Sequence, residues 1–200
     1  WNAYRRVNGW AVDGKAPQSE DDRLAGAWFE QALGRSLRQI AEEFRSYRIS
    51  EAFKEAYRLF WDDFSGLYLE MVKPAYGAPI DGRTLAQAKG FFDALMRVLH
   101  PFMPFVSEEI WQALAERAEG ASICVAPMPE PCEADEAMLA RFELVKEIIP
   151  AVRHGRNQKN LPQKEAPALP VIAAENHPPE FAPAPRHNAN PPPYDPLPPQ

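Results

Sequence analysis

The placement of proline constrains this chain more than any other feature. Twelve of its 22 prolines (Pro167, Pro170, Pro178, Pro179, Pro183, Pro185, Pro191, Pro192, Pro193, Pro196, Pro198 and Pro199) lie beyond Glu165. Proline lacks the amide hydrogen that helices and sheets use and fixes its own φ. Residues 167–200 carry few large apolar side chains, so they are predicted to form a disordered or polyproline-like tail and not a core. Any folded structure must come from the first 165 residues or so.

There the hydrophobic period is helical. A short opening helix places Trp1, Tyr4 and Val7 on one side. After a polar loop, Leu24, Trp28, Leu33, Leu37, Ile40, Phe44 and Tyr47 form one stripe and predict a helix from Asp21 to Tyr47. Ser50 is the expected cap of a second long helix, in which Phe53, Tyr57, Phe60, Trp61, Phe64, Tyr68 and Met71 recur before Lys73, Pro74 and Gly77 end it. A third helix is expected from the cap candidate Asp81 to His100, burying Leu85, Phe91, Phe92, Leu95 and Leu99. HPFMPF breaks it, and Ser107 with Glu108 and Glu109 restarts a helix that turns Ile110, Trp111 and Leu114 inward.

Beyond Gly120 the pattern changes. SICVAP is a strand candidate, Ala134 to Val152 a further amphipathic helix, and ALPVIA a proline-damaged strand. The fold class expected is mainly α: an antiparallel helical bundle over 1–118, a small α+β appendage over 119–166, and the tail.

Chemistry is thin. No glycine-rich phosphate loop, serine elbow or His-x-x-x-His pair occurs, and His100, His154, His177 and His187 lack metal-ligand spacing, so neither catalytic nor metal residues are expected. Asp62 and Asp63 diverge by about 100° on a helix and form a poor bidentate pair; they are expected as a solvated or salt-bridged edge, not as an acid–base centre. Trp28, Trp61, Trp111, Phe64, Phe91 and Phe92 are assigned to the core, whereas Trp1, Tyr4 and Trp10 lie outside the long stripes, where packing is still the expectation and stacking on a base the alternative. Cys124 and Cys132 match no zinc or disulfide framework and are expected as reduced thiols.

A net charge of −6 argues against indiscriminate coating of nucleic acid. Local basic features remain. Arg35, Arg38 and Arg45 project within about 80° of one another, as a ridge for phosphates or, with Glu42 on the same side, as an ion-paired face. Arg153, His154, Arg156, Lys159 and Lys164 follow one another with no acid between Glu147 and Glu165, which makes that stretch locally positive. No apolar run reaches the roughly 20 residues of a membrane span and no signal-peptide core is visible, so no membrane partner and a cytoplasmic location are expected. The start at Trp1, without Met, is read as a chain cut from something longer.

Several stretches resemble the anticodon-binding region of class I aminoacyl-tRNA synthetases, and the valyl members most closely. They are WNAYRRV, YRISEAFKEAYRLFWDDFSGLYLEMVKP, LHPFMPFVSEEIWQ, SICVAPMP and FELVKEIIPAVRHGRNQKNLPQKEA, which together cover nearly all of residues 1–165. Each phrase alone also suits the isoleucyl, leucyl or methionyl relatives. The resemblance implies a module that binds the anticodon stem–loop of tRNA(Val), with Asn2, Arg5, Arg6, Arg38, Arg45, Arg48, Arg153, Arg156 and Lys159 as candidate contacts. An anticodon is a single-stranded loop, recognised by splaying bases onto aromatic or arginine planes while cations hold the backbone.

The same resemblance implies a parent enzyme with catalytic and editing domains. Neither the HIGH-like nor the KMSKS-like signature occurs here, so this chain needs no cofactor of its own; ATP and L-valine would bind the missing catalytic domain. The family's aromatic residue before the tyrosine of the second helix is Leu67 here, and in HPPEFAPAPRHNANPPPYDPL several apolar family positions have become proline. The alternative reading is a helical protein-interaction domain with a Pro-rich ligand tail, resting on the PxxP-like run Pro191, Pro192, Pro193 and Pro196. An independent hydrolase using Asp62 and Asp63 lacks any nucleophile or base.

Overall fold

A computed structural model describes residues 1–158. Lys159, Lys164, the ALPVIA segment and the Pro-rich tail lie outside the described residues. The chain divides into a unit Trp1–Gly155, which holds the architecture below, and a second beginning at Arg156, of which only the end of the last helix is described.

The fold is mainly α. Helix α1 (Asn2–Asn8) is followed by a short strand, β1 (Val12–Asp13), and by the long helix α2 (Glu20–Arg45). Ser19 caps α2, its hydroxyl accepting the Asp22 amide at 3.0 Å, with Glu20, Asp21 and Asp22 in the first turn, where the helix dipole favours acids. At the other end the Tyr47 amide donates to the Phe44 carbonyl at 3.0 Å and the Arg48 amide to the Glu43 carbonyl at 2.8 Å. That is the Schellman pattern, with Tyr47 in the left-handed position at φ 56° that glycine usually fills. The helix therefore stops at Arg45, and Tyr47, expected on the buried stripe, is 90% exposed.

Helix α3 (Ile49–Arg58) starts one residue before the expected cap Ser50 and runs without a break into a π-helical stretch, Leu59–Tyr68, and a short α4 (Leu69–Met71). The sequence contains two aromatic columns of period four, Phe53/Tyr57/Trp61 and Phe60/Phe64/Tyr68. At 100° per residue such a column drifts by about 40° per step in an α-helix; i→i+5 bonding widens the turn and reduces that drift. The second column is thereby held inward: Phe60 lies 6.0 Å from Phe64, which lies 5.7 Å from Tyr68. The first column points outward, so Trp61, assigned to the core from its stripe, is 60% exposed.

Strand β2 (Ile80–Asp81) pairs in parallel with β1, Val12 opposite Ile80 and Asp13 opposite Asp81. Asp81 caps α5 (Gly82–Leu99) through the Thr84 amide at 2.9 Å, as its sequence position predicts. The strand pair starts α2 and α5 side by side. They stay parallel, with Gln18 bonded to Thr84 at one end and Phe44 stacked on Phe102 at the other. α3 and its continuation run antiparallel to α2, from Glu55 against Ser36 to Tyr68 against Phe29.

Helix α6 (Pro104–Leu114) begins on Pro104, whose missing amide costs nothing in a first turn. Ser107, expected to restart the helix, instead lies inside it, buried, with its hydroxyl donating to the Met103 carbonyl at 2.8 Å. SICVAP forms a 3-10 turn (Ile123–Val125) and no strand. Glu108 imposes this: its Oε2 accepts the Ile123 amide at 3.0 Å and the Ser122 hydroxyl at 2.9 Å, which bends the segment onto α6. Helix α7 (Glu136–Gln158) runs through Pro150 and past the expected end at Val152.

Phe29 is the hub of the core, 5.4 Å from Phe64, 5.1 Å from Tyr68 and 4.9 Å from Phe91. Full burial of a side chain of this size contributes about 1.5–3 kcal/mol. Ile123, Leu139 and Phe142, from the segment expected as an appendage, join the same core, and Phe142 stacks on Trp28 at 4.7 Å.

Candidate nucleic-acid interface

Two ends of the bundle carry the residues picked out from sequence. Helix α1 lies at the β1–β2 end, held there by the buried Val7, by the Tyr4 hydroxyl donating to the Ala113 carbonyl at 3.1 Å, and by an Arg6–Glu70 ion pair. Asn2, Arg5 and Trp1 are exposed, as are Arg6 and Asn8, with Trp1 45% exposed and edge-on to Tyr4 at 5.4 Å. Arg5 makes no ion pair among the described residues. An exposed indole, an amide and an unneutralised guanidinium on one short helix can stack on a base, read its edge and hold a phosphate.

Arg45 and Arg48 lie at the other end, on the α2–α3 turn around Tyr47. Each already faces an acid: Arg45 and Glu42 at 3.3 Å, Arg48 and Glu43 at 2.6 Å. Beside them rises a ladder of rings. Phe44 stacks on Phe102 at 5.7 Å, Phe102 meets Phe53 at 5.2 Å, and Tyr57 lies parallel to Trp61 at 6.0 Å and 7°. Sequence reasoning passed over this outward column; its signal is the aromatic repeat one residue out of phase with the buried one.

The remaining candidates are dispersed. Arg38 donates to the Cys132 carbonyl and Arg35 pairs with Glu143 at 3.3 Å, so the middle of the arginine ridge holds the segment leading into α7. Arg153 is exposed on α7, and Arg156 lies in its last turn. Asn2, Arg5 and Arg6 therefore sit at one end of the bundle and Arg45 and Arg48 at the other. α2, with 26 residues, separates them by about 39 Å at 1.5 Å per residue.

The acidic pair separates likewise. Asp62 is exposed, while Asp63 is fully buried between Arg58 Nη1 and Lys146 Nζ, each at 2.7 Å. Burial opposes ionisation of the neighbouring Glu55, but hydrogen bonds from Arg58 and Ser36 and the Arg58 charge outweigh it and hold this carboxyl below the usual carboxylate range. The hydrogen bond to Glu55 and the charge of Asp63 likewise raise Arg58, against its own burial. These charges are structural: they fasten α2, α3, the π-helical stretch and α7 together.

Among the described residues no group of His, Cys, Asp and Glu is placed to hold a metal ion, and no helix is long and apolar enough to cross a membrane. Residues 26–173 match the family described as the anticodon-binding domain of tRNA ligase. The chain belongs to this family. Among relatives of the anticodon-binding domain, a valine–tRNA ligase of Parabacteroides distasonis is 51% identical over 88% of this chain and 20% of its own length. One of Phocaeicola vulgatus is 49% identical over 86% of this chain, and one of Porphyromonas gingivalis 46% over 90%, each again over 20% of its own length. The chain thus spans about a fifth of the length of these relatives.

Proposed function

We propose that this anticodon-binding domain is the tRNA-holding part of a valine–tRNA ligase. It takes the anticodon stem–loop of tRNA(Val) and positions the acceptor end for ATP-dependent aminoacylation elsewhere in the parent enzyme. ATP and L-valine belong to the catalytic domain, an editing domain is a further partner, and the location is the cytoplasm. The observation that supports the reading is the outward face of α1, where Trp1, Asn2 and Arg5 are exposed and no acid pairs with Arg5 among the described residues, groups suited to stacking a base and holding a phosphate. Identity to valine–tRNA ligases over most of the chain supports the choice of tRNA.

The test is binding of a labelled valine anticodon stem–loop, followed by fluorescence anisotropy across a salt series. Affinity should fall steeply with salt, log K declining by about 0.7 per log unit of salt for each phosphate neutralised. Equal affinity for stem–loops with altered anticodons would sink the specificity, and no binding at low salt by a folded chain would sink the reading.

A further inference from the structure

At the end of α5 three side chains form a chain of hydrogen bonds that the RNA-binding reading does not use. His100 Nδ1 lies 2.8 Å from Ser107 Oγ, and His100 Nε2 lies 3.2 Å from Cys124 Sγ. The Ser107 hydroxyl has one hydrogen and gives it to the Met103 carbonyl at 2.8 Å, with the Pro104 carbonyl at 3.2 Å. Its oxygen is therefore the acceptor toward His100, which puts the imidazole hydrogen on Nδ1. Nε2 is left with its lone pair directed at the Cys124 thiol.

Each member of the chain is held in place by a neighbour. The buried Ser107 orients the ring, and Ser122 Oγ accepts the Cys124 amide at 3.2 Å to set the turn that carries the thiol. Glu108 clamps that turn through Ile123 and Ser122. Cys124 itself is exposed. A thiol at the surface, a base within hydrogen-bond reach of it and a third group orienting the base make up the arrangement that activates nucleophilic cysteines.

We propose that Cys124 is a modification site for low-molecular-weight disulfides, with His100 as its proton acceptor and Ser107 as a positioning residue. Nε2 takes the thiol proton, and the resulting thiolate attacks one sulfur of the incoming disulfide. The old S–S bond breaks as the new one forms, and the departing thiolate takes the proton back from Nε2. One disulfide and one thiol enter; one mixed disulfide and one thiol leave, and no further oxidant is needed. A reducing dithiol reverses the step.

The second cysteine supplies an internal reference. Cys132 is also exposed, but its sulfur faces the Glu30 carbonyl at 3.7 Å and has no base hydrogen-bonded to it among the described residues. The intact chain is incubated with oxidised glutathione at neutral pH, and the mixed disulfides are located and timed by peptide mass spectrometry. Cys124 is expected to react about tenfold faster than Cys132, a modest share of what a positioned base can supply. His100→Asn keeps a donor toward Ser107 but removes Nε2; it should bring Cys124 down to the Cys132 rate while leaving the Cys132 rate unchanged.

Equal rates at the two cysteines in the unaltered chain, or an unchanged Cys124 rate in a folded His100→Asn variant, overturns the proposal. Should that variant lose its helical circular dichroism, the serine pair decides. Ser107→Ala is then expected to slow Cys124 and Ser107→Thr to restore it; the same rate in both overturns the proposal equally.

Discussion

Asp63 shows what one residue can hold. It has no exposed surface and two cations at 2.7 Å, one from its own helical run and one from α7. Removing one partner of a buried ionic cluster leaves the others desolvated and uncompensated, so Asp63→Ala is expected to cost about 3 kcal/mol, read from urea unfolding. The same cluster sets the response to acid. Glu55 has a depressed pKa in the folded chain, so its contribution is fully present above its unfolded pKa and is lost as pH falls through the folded value. Glu143, held low despite burial by Lys146 and Arg35, has the same sign. Stability should therefore fall on acidification through the carboxylate range, and Glu55→Gln should flatten that part of the curve in pH-dependent thermal melts.

At the scale of elements, a close crossing of two segments and a left-handed turn residue invite opposite substitutions. Gly34 on α2 lets the Cys132 segment cross close by: a Cβ there would fall 2.6 Å from Cys132 Sγ and 3.0 Å from its carbonyl oxygen. Gly34→Ala should destabilise the chain by about 1–3 kcal/mol and loosen α7, which amide hydrogen exchange would detect as faster exchange confined to that helix. Tyr47, in contrast, occupies a left-handed position that strains an L side chain, so Tyr47→Gly should raise stability by about 0.5–1 kcal/mol in chemical denaturation. That tyrosine also shows where sequence reading ran out. The long helices, the proline break and the Asp81 cap were legible because period and breaker residues are local signals. The end of α2 was not, because its stop signal carries tyrosine in place of glycine. The 3-10 turn was not, because SICVAP reads as a strand until Glu108, far away in sequence, bends it. Trp61 was misplaced because the two aromatic columns, one residue out of phase, were read as a single stripe, whereas the buried face of Ala52, Ala56 and Leu59 puts Trp61 on the opposite side.

For the molecule as a whole, the candidate contacts at the two ends of the bundle form groups that one base cannot bridge, and Arg38, Arg153 and Arg156 belong to neither. The α1 face was singled out only through family likeness, because Asn2 and Arg5 carry no spacing signal of their own. Arg35 and Arg38 looked like a ridge because an ion pair with Glu143 and a hydrogen bond to the Cys132 carbonyl, about a hundred positions away, are invisible in a helical projection. If the loop docks on α1, Arg5→Ala should weaken stem–loop binding and lower the salt slope by about 0.7, the share of one phosphate, while Arg38→Ala should act mainly on stability. Anisotropy titrations and thermal melts on the same two variants separate these outcomes.

The paired β1 and β2 join residues nearly seventy positions apart. The α2–α3 hairpin can close as soon as both helices have emerged from the ribosome, but the opening segment finds its anchor only after Ile80 has been synthesised. Local pairings form quickly and distant ones late. The opening helix therefore settles only after the α2–α3 hairpin has been made, and its hold through Tyr4 waits longer still, for Ala113.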